Sequence, residues 1–323
     1  MRIYSFIPSA TEIVYALGLG DQLCGVTHEC DYPDDARHKP VAIKSLIDPA
    51  GLGQAEIDAM VAESMTHGHG LYSIDEALLR EHPPDVVITQ ELCDVCSVSL
   101  RDVLSTLAGI SKTCRVVSLK PRGLSGVLED ISTVGRACGA EPEAEELVGS
   151  LSLRIDAVRR RAEGLPLRTV FCVEWFDPVF ASGHWVPEMV RVAGGHDALG
   201  LPGQDSRRVP WERVLEFDPD LIVLMPCGFG VERAVADLPL LAGNRGWLSL
   251  RAVNSGEVYA ANGSAYFSRP GPRLVDGLEL LAKMIHPETF GREMPAGMAS
   301  RVGRGVLSSS SNTNIEGRRS PAR

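Results

Sequence analysis

Two α/β lobes joined by one long helix are the fold that this sequence predicts, and three observations support it. The chain has 323 residues, which is more than one ordinary hydrophobic core accommodates. Strand-like and helix-like segments alternate along it, and the alternation starts afresh after Pro166. Between the two series, residues 142–163 have the pattern of a single helix. The cleft between the lobes is therefore the expected binding site.

The segment from Pro142 to Glu163 has the charges and the apolar spacing of a long helix. Acidic residues follow Pro142, and three arginines stand at positions 159–161, which complements the helix dipole. Apolar residues recur at helical spacing and form one stripe: Leu147, Val148, Leu151, Ile155 and Val158. Such a helix would be about 33 Å long. We expect it to act as a spacer that limits hinge closure.

Four regions follow from this organisation. We expect a first lobe at 1–121, a helical connector at 122–165, a second lobe at 166–291 and a tail at 292–323. Gly, Ser and Arg dominate the tail without apolar periodicity, which is typical of a disordered segment.

In the first lobe, a strand at 2–7 leads into a helix for which Ser9 or Thr11 is the expected N-cap, with free amides facing the cleft. Ser73 to Glu76 is expected to cap a later helix. The remaining segments are strands at 23–27, 41–43, 84–89 and 116–119 and helices at 53–64 and 124–134.

In the second lobe the same rhythm continues. A loop from Trp175 to Trp185 follows the first strand of this lobe. We predict strands at 169–174, 220–225 and 257–261, and helices at 187–193, 209–217 and 274–285.

Composition excludes several classes of protein. A chain that is 44% hydrophobic and 23% charged is typical of a globular protein, and a net charge of -10 argues against nucleic-acid binding. No apolar run reaches membrane-spanning length. The first residues, MRIYSFIPSATEIV, lack the pattern of a secretory signal, which favours a cytoplasmic location with eight reduced cysteines.

One set of candidate ligands follows the predicted strands of the first lobe. His28, Glu29 and Cys30 follow one strand, and Cys93 and Cys96 follow another, shortly after Gln90. Ligands bind at the carboxyl ends of strands in such sheets, and imidazole and thiolate suit zinc, copper, cobalt or iron. Three interpretations remain open: buried structural thiols, a metal or ligand site, and a redox pair. His67 and His69 could place two further imidazoles on one loop.

Aromatic residues provide a second set. All four tryptophans lie in the second lobe, at positions 175, 185, 211 and 247, and Glu174 and His184 adjoin the first two. They either fill the core or form a flat apolar wall for a large planar ligand. No catalytic signature is present, which predicts a protein that is not an enzyme.

Four segments resemble a known family: SFIPSATEIVYALGLGDQLCGVTHECDYP, PPDVVITQELCDVC, FASGHW and RRVPWERVLEFDPDLIV. They are similar to the vitamin B12 and iron-siderophore substrate-binding proteins of ABC importers, most of all to the cobalamin-binding branch. The resemblance covers about residues 2–287. It implies two Rossmann-like lobes bridged by a single long helix, the class III periplasmic-binding-protein architecture. It also implies a metal-chelate ligand, cobalamin or another corrinoid, held between the lobes with little closure.

Site residues implied by the resemblance come from both lobes. The corrin pocket would include Tyr32 with its neighbours at 28–30, Lys44 and the residues up to Ile47, the 89–96 loop, the 175–185 loop, Arg208, Trp211 and Tyr266. His28, His184 or a cysteine could supply an axial ligand to cobalt. Glu76 and Glu212 would be the acidic residues, one per lobe, that contact the ABC permease.

Three functions compete at this point. The first is a cytoplasmic protein that binds a corrinoid or related metal-tetrapyrrole and buffers it or hands it on. The second is an exported receptor of an ABC importer for B12 or a siderophore. The third is a metal-binding or cofactor-maturation protein, chelatase-like, that uses His28, Cys30, Cys93 and Cys96.

Overall fold

The computed structural model describes residues 1–67, 70–91, 97–303 and 305–306. It contains two sheets of mainly parallel strands, each covered by helices, and one long helix between them. This is the predicted fold class, a pair of α/β lobes with a helical bridge. The exact bounds of the lobes stay a prediction.

The first lobe is built on a six-stranded sheet with the order β4-β3-β2-β1-β5-β6. All neighbours pair in parallel except β3 and β4, which are antiparallel. The central strand β5 is buried throughout, as expected for a near-continuous apolar run in a parallel sheet. The strands are β1 (Ile3–Ser5), β2 (Leu23–Thr27), β3 (Val41–Ser45), β4 (Tyr72–Ile74), β5 (Val86–Gln90) and β6 (Arg115–Leu119).

Helices cover both faces of this sheet. They are α1 (Pro8–Ala16), α2 (Gln54–Thr66), α3 (Glu76–Glu81), α4 (Leu100–Ala108) and α5 (Leu124–Cys138). The expected cap of α1 was wrong, whereas the expected capping segment of α3 was confirmed. Helix α1 begins one residue earlier, at Pro8, because proline loses no hydrogen bond at a first helical position, so Ser9 and Thr11 are buried inside the helix. Within the expected capping segment Ser73 to Glu76, Asp75 caps α3 by accepting from the Leu78 amide at 3.0 Å.

The bridging helix α6 (Glu141–Ala162) confirms the predicted long helix to within one residue at each end. Its buried residues Leu151, Ile155 and Val158 belong to one hydrophobic cluster that includes side chains of both lobes. The helix packs against α5 on one side and against two helices of the second lobe on the other. Arg154 adds ion pairs to Asp276 at 2.5 Å and to Glu279 at 2.8 Å. Both lobes thus pack against the same helix.

The second lobe is built on a sheet with the order β10-β8-β7-β11-β12-β13, in which β9 also pairs with β7. The three central strands β7, β11 and β12 are parallel. The strands are β7 (Arg168–Phe176), β8 (Val179–Ala181), β9 (Gly195–His196), β10 (Arg207–Arg208), β11 (Leu221–Leu224), β12 (Val258–Ala261) and β13 (Ala299–Arg301). The helices are α7 (Val186–Val192), α8 (Trp211–Phe217), α9 (Val231–Ala236), α10 (Leu238–Ala242), α11 (Arg251–Ser255), α12 (Gly263–Tyr266), α13 (Leu274–Ile285) and α14 (Pro287–Phe290).

Two expectations for this lobe were wrong. The segment from Trp175 to Trp185 is not a plain loop, because it contains β8, which pairs antiparallel with β7. The segment after residue 292 is not disordered throughout, because β13 pairs antiparallel with β12 and buries Ala299. A three-residue edge strand has too little pattern to stand out in a sequence rich in glycine. In the described part of the chain, no helix has the length and apolar character needed to cross a bilayer.

Candidate ligand-binding cleft

A cavity of about 250 Å³ lies between the lobes, at the carboxyl ends of the strands. This is the position at which open α/β sheets bind ligands. Residues that follow β1, β2 and β3, with residues of α2 and β4, form one side, and Trp175 of β7 with residues that follow β11 and α12 form the other. Much of the wall is apolar, with Ile47, Ile57, Val61 and Leu71 on the first lobe. The enclosed space is slightly below the roughly 300–1,000 Å³ of pockets that bury a drug-sized ligand. A larger ligand therefore has to extend into the open part of the cleft.

Aromatic rings face the cavity from both lobes. On the second lobe, Trp175 stacks on Phe229 with ring centroids 5.8 Å apart and an angle of 28° between the planes. On the first lobe, the rings of His28 and Tyr72 lie 6.3 Å apart. All four side chains line the cavity. Sequence reasoning found His28 and Trp175 but missed Tyr72 and Phe229, which no spacing pattern distinguishes from core residues.

The predicted tryptophan wall is smaller than expected, since of the four tryptophans, all of them described, Trp175 alone lines the cavity. Trp185 is only 5% exposed, and its indole N–H donates to the Phe267 carbonyl at 2.7 Å. Trp211 packs on Trp247 and donates to the Arg245 carbonyl at 2.9 Å. The expected ligand contacts of Trp185 and Trp211 were therefore wrong, because both rings fill spaces within the second lobe.

The segment after β2 divides between the cleft and the core. His28 and Glu29 are exposed and line the cavity, whereas Cys30 is 5% exposed. Its Sγ lies 3.0 Å from Thr11 Oγ1 and accepts from the Thr27 amide at 3.4 Å. Burial raises the pKa of the Cys30 thiol, and hydrogen bonds from the two threonines oppose that effect only in part. A protonated, enclosed thiol is a poor metal ligand.

The predicted metal set is not assembled by the described residues. Cys93, Cys96 and His69 lie outside the described residues. Among the residues that the structure does describe, no group of three or more histidine, cysteine, aspartate or glutamate side chains could hold a metal ion. Cys30 fails as a member of such a set because it points into the core, where it bonds to threonines.

A cluster of charged side chains joins the lobes beside the cavity. Arg273 donates to both carboxylate oxygens of Glu12, at 3.0 and 2.6 Å, and Glu12 is 3% exposed. Arg269 forms an ion pair with Asp31 and donates to the Glu29 carbonyl at 3.0 Å. Burial raises the pKa of Glu12, and the two hydrogen bonds from Arg273 oppose it. We name these four side chains, Glu12, Asp31, Arg269 and Arg273, the charge cluster.

Sequence reasoning missed most of the charge cluster. The arginines stand in the segment SRPGPR, immediately before the predicted helix at 274–285. Tyr32 and Tyr266, both expected in the pocket, lie instead against Arg273, whose guanidinium carbon is 4.0 and 5.6 Å from their ring centroids. They support the charge cluster at the margin of the cavity.

A second contact between the lobes is centred on Gln54, the first residue of α2. Gln54 is fully buried: its Oε1 accepts from the Phe176 amide at 2.7 Å and its Nε2 donates to Asp237 at 2.8 Å. Nearby, Arg233 donates to the Leu52 carbonyl at 2.7 Å. We name the contacts of residues 52–58 with the second lobe the clasp.

Arg208 belongs to this clasp. Its guanidinium pairs with Asp58 of α2 at 2.7 Å, and its side chain is largely exposed. Arg208 was expected to bind ligand, and the structure gives it a role in holding α2 instead. The Trp175 indole N–H also donates to the Gln54 carbonyl, at 3.3 Å. Trp175 therefore both lines the cavity and contacts the clasp.

The remaining predicted residues differ in their proximity to the cavity. Ser9 and Gln90 line it, and both are buried. Lys44 is exposed on β3, one residue before a lining serine. Glu174 accepts from the Gly183 amide at 3.3 Å and from the Ser206 hydroxyl, and burial raises its pKa to about 7. His184 lies 3.3 Å from Asp205 and against Trp185, away from the lining residues.

Residues 4–265 match the family described as periplasmic binding protein. An uncharacterized ABC transporter substrate-binding lipoprotein of Bacillus subtilis is 26% identical over 300 residues, covering 90% of this chain and 81% of that protein. A vitamin B12-binding protein of Vibrio cholerae is 24% identical over 282 residues, with 86% of each chain covered. Among solved structures, a periplasmic heme binding protein from Pseudomonas aeruginosa superposes with a TM-score of 0.67 at 19% identity, covering 94% of this chain and 99% of that one.

These matches confirm the resemblance drawn from the sequence and the expectation of a binding protein without catalytic activity. They contradict the expectation of a cytoplasmic protein, since the similar proteins are a lipoprotein and periplasmic binding proteins. That expectation depended on the first few residues alone, whereas the matches to exported proteins extend over most of the chain.

Proposed function

Since this chain belongs to the periplasmic binding protein family, we propose that it is the substrate-binding protein of an ABC importer and that its ligand is a flat metal-tetrapyrrole, a corrinoid or a heme. The observation that supports this ligand class is the pair of aromatic surfaces that face one cavity from opposite lobes, Trp175 with Phe229 and His28 with Tyr72. A macrocycle offers two large apolar faces, which such surfaces cover well. The similar proteins named above include binders of vitamin B12 and of heme.

His28 is the proposed axial ligand to the metal of the cargo. Its imidazole is exposed to the cavity, and a neutral imidazole nitrogen suits both cobalt and iron. The Tyr72 ring lies beside it, with the ring centroids 6.3 Å apart and the ring planes tilted by 43°. The buried thiol of Cys30 and the distant His184 are not proposed as ligands.

Glu76 and Glu212 are proposed as contacts to the permease. Each is exposed, each lies in the first turn of a helix, and one belongs to each lobe. Because α6 packs against both lobes, we expect the spacing between these carboxylates to change little, as a paired docking site needs. Reversing each charge with lysine should reduce transport in a reconstituted importer and leave ligand affinity unchanged.

Ligand binding is tested by titrating the purified protein with aquocobalamin and with hemin, following tryptophan fluorescence and the visible spectrum. We expect saturable quenching by at least one of the two, and a spectral change characteristic of imidazole ligation. His28→Ala should remove the spectral change and weaken binding. Trp211→Phe, a change of similar size outside the cavity, is the matched control. Saturable binding of neither ligand, or a spectrum that is unaffected by His28→Ala, would contradict the proposal.

A further inference from the structure

A second cavity, of about 340 Å³, lies at the opposite end of the second sheet from the cleft. Arg168, the first residue of β7, lines it, whereas Trp175 of the same strand lines the cleft seven residues later. That separation is about 23 Å along an extended strand. The lining residues of the two cavities have no member in common. The second cavity is therefore a separate place on the molecule.

The charged side chains of this cavity are mostly basic. Four cations and two carboxylates line it: Arg168, Lys283, Arg292, Arg301, Glu257 and Glu288. Two of the cations are neutralised, because Arg292 pairs with Glu288 at 2.6 Å and Arg301 pairs with Glu257. The phenol of Tyr259 donates to the other oxygen of Glu257 at 2.9 Å, so that carboxylate is engaged on both sides.

Arg168 and Lys283 are the two cations of the lining that do not pair with a carboxylate of the lining. Each is half-buried, and each has a hydrogen bond to a backbone carbonyl, Arg168 to Ile285 at 2.9 Å and Lys283 to Glu293 at 3.0 Å. Within the described ranges, neither lies within 4 Å of a carboxylate oxygen, and Asp220, whose pKa Arg168 helps to lower, is already paired with Arg251 at 2.8 Å. A guanidinium has five N–H donors and an ammonium three, so both side chains retain donors for a ligand. A chain with a net charge of -10 thus holds a local excess of two positive charges in a concave site.

The remaining wall suits a small carbon skeleton. Pro287, Met294 and Ala299 contribute apolar surface next to the two cations. Partial burial strengthens the attraction between such cations and an anion, because less water screens the charges. We propose that this cavity binds a small organic dianion, a dicarboxylate or a phosphate monoester, between Arg168 and Lys283.

Isothermal titration calorimetry with succinate and with glycerol 3-phosphate, at low ionic strength, tests the proposal and distinguishes the two sources of the dianion. We expect one-to-one saturable binding of at least one of them, and weaker binding as potassium chloride is added. Arg168→Gln and Lys283→Gln should each weaken binding about tenfold or more, since a hydrogen bond to a charged group is lost.

Lys112→Gln is the matched control, because Lys112 is exposed and outside both cavities. Thermal unfolding of each variant shows whether it remains folded, and Lys283→Gln, which removes only one bond to a carbonyl, serves if Arg168→Gln does not fold. Absence of saturable binding of both probes would overturn the proposal, as would unchanged affinity in the Lys283 variant. Neither result bears on ligand binding in the cleft.

Discussion

The clasp offers the sharpest test of how the two lobes are held together. In Gln54→Ala, the buried Phe176 amide loses its acceptor and Asp237 loses a donor. An unpaired buried amide costs about 1–3 kcal/mol, and a hydrogen bond to a charged group contributes about 1.5–3 kcal/mol. Freeing a buried glutamine side chain returns up to about 2 kcal/mol of entropy. We therefore expect the free energy of unfolding to fall by about 2–3 kcal/mol.

The same variant should loosen α2 locally. Hydrogen exchange of the Ile57 amide, which bonds to the Gly53 carbonyl within the clasp segment, reports opening of this region. A loss of 2–3 kcal/mol corresponds to exchange that is about 30-fold to 150-fold faster. Urea denaturation measures the global effect, with Gln22→Ala, a glutamine outside the clasp, as the control. An unfolding free energy within about 0.5 kcal/mol of wild type, together with unchanged exchange at Ile57, would refute the assignment of Gln54 as an interlobe contact.

Three further predictions concern the charge cluster, a buried carboxyl group and the aromatic wall. Glu12→Gln leaves Arg273 without its ion-pair partner, and urea denaturation should show a loss of about 3–5 kcal/mol; a loss below 1 kcal/mol would contradict the role of this pair. Burial raises the pKa of Glu174 to about 7 from 4.5, so the folded state binds more protons than the unfolded state between these values, and stability should fall as pH rises through that window. Glu174→Gln should flatten that slope in denaturation curves measured from pH 4 to pH 8, and an unchanged slope would show that another group titrates. Trp175→Ala should weaken ligand binding by about tenfold with little loss of stability, whereas Trp185→Ala should lower the unfolding free energy by about 3–5 kcal/mol; the opposite pattern would reverse their assignments.

Local sequence patterns predicted the architecture well, because the charges at the two ends of the bridging helix mark where it begins and ends. Acidic residues at its start, arginines at its end and a periodic apolar stripe together located α6 to within one residue. The strand β5 was predicted equally well, since a continuous run of apolar residues is typical of a parallel strand that is buried on both faces. Short elements such as β8 and β13 were missed, because a strand of three residues carries almost no periodic signal.

The site was harder to predict, because its composition depends on which side chains meet across a gap. His28 and Trp175 were found through their position after strands, and both line the cavity. Cys30 and Trp185 have the same kind of position but turn into the core. Gln54, Arg269 and Arg273 were missed, since each acquires its meaning only from a partner in the other lobe, more than 120 residues away in sequence.

The shared hydrophobic cluster around α6 also has a consequence for how the protein folds. Leu151 and Ile155 pack into one interior that contains Ile3 of the first sheet and Val170 of the second. Each half also has a buried apolar cluster of its own, around Phe6 and Val103 in the first and around Phe171 and Trp247 in the second, but each would expose the apolar face that it shares with the other if the other were melted. Loss of structure in one half should therefore destabilise the other, because it uncovers the apolar surface that the two halves share around α6.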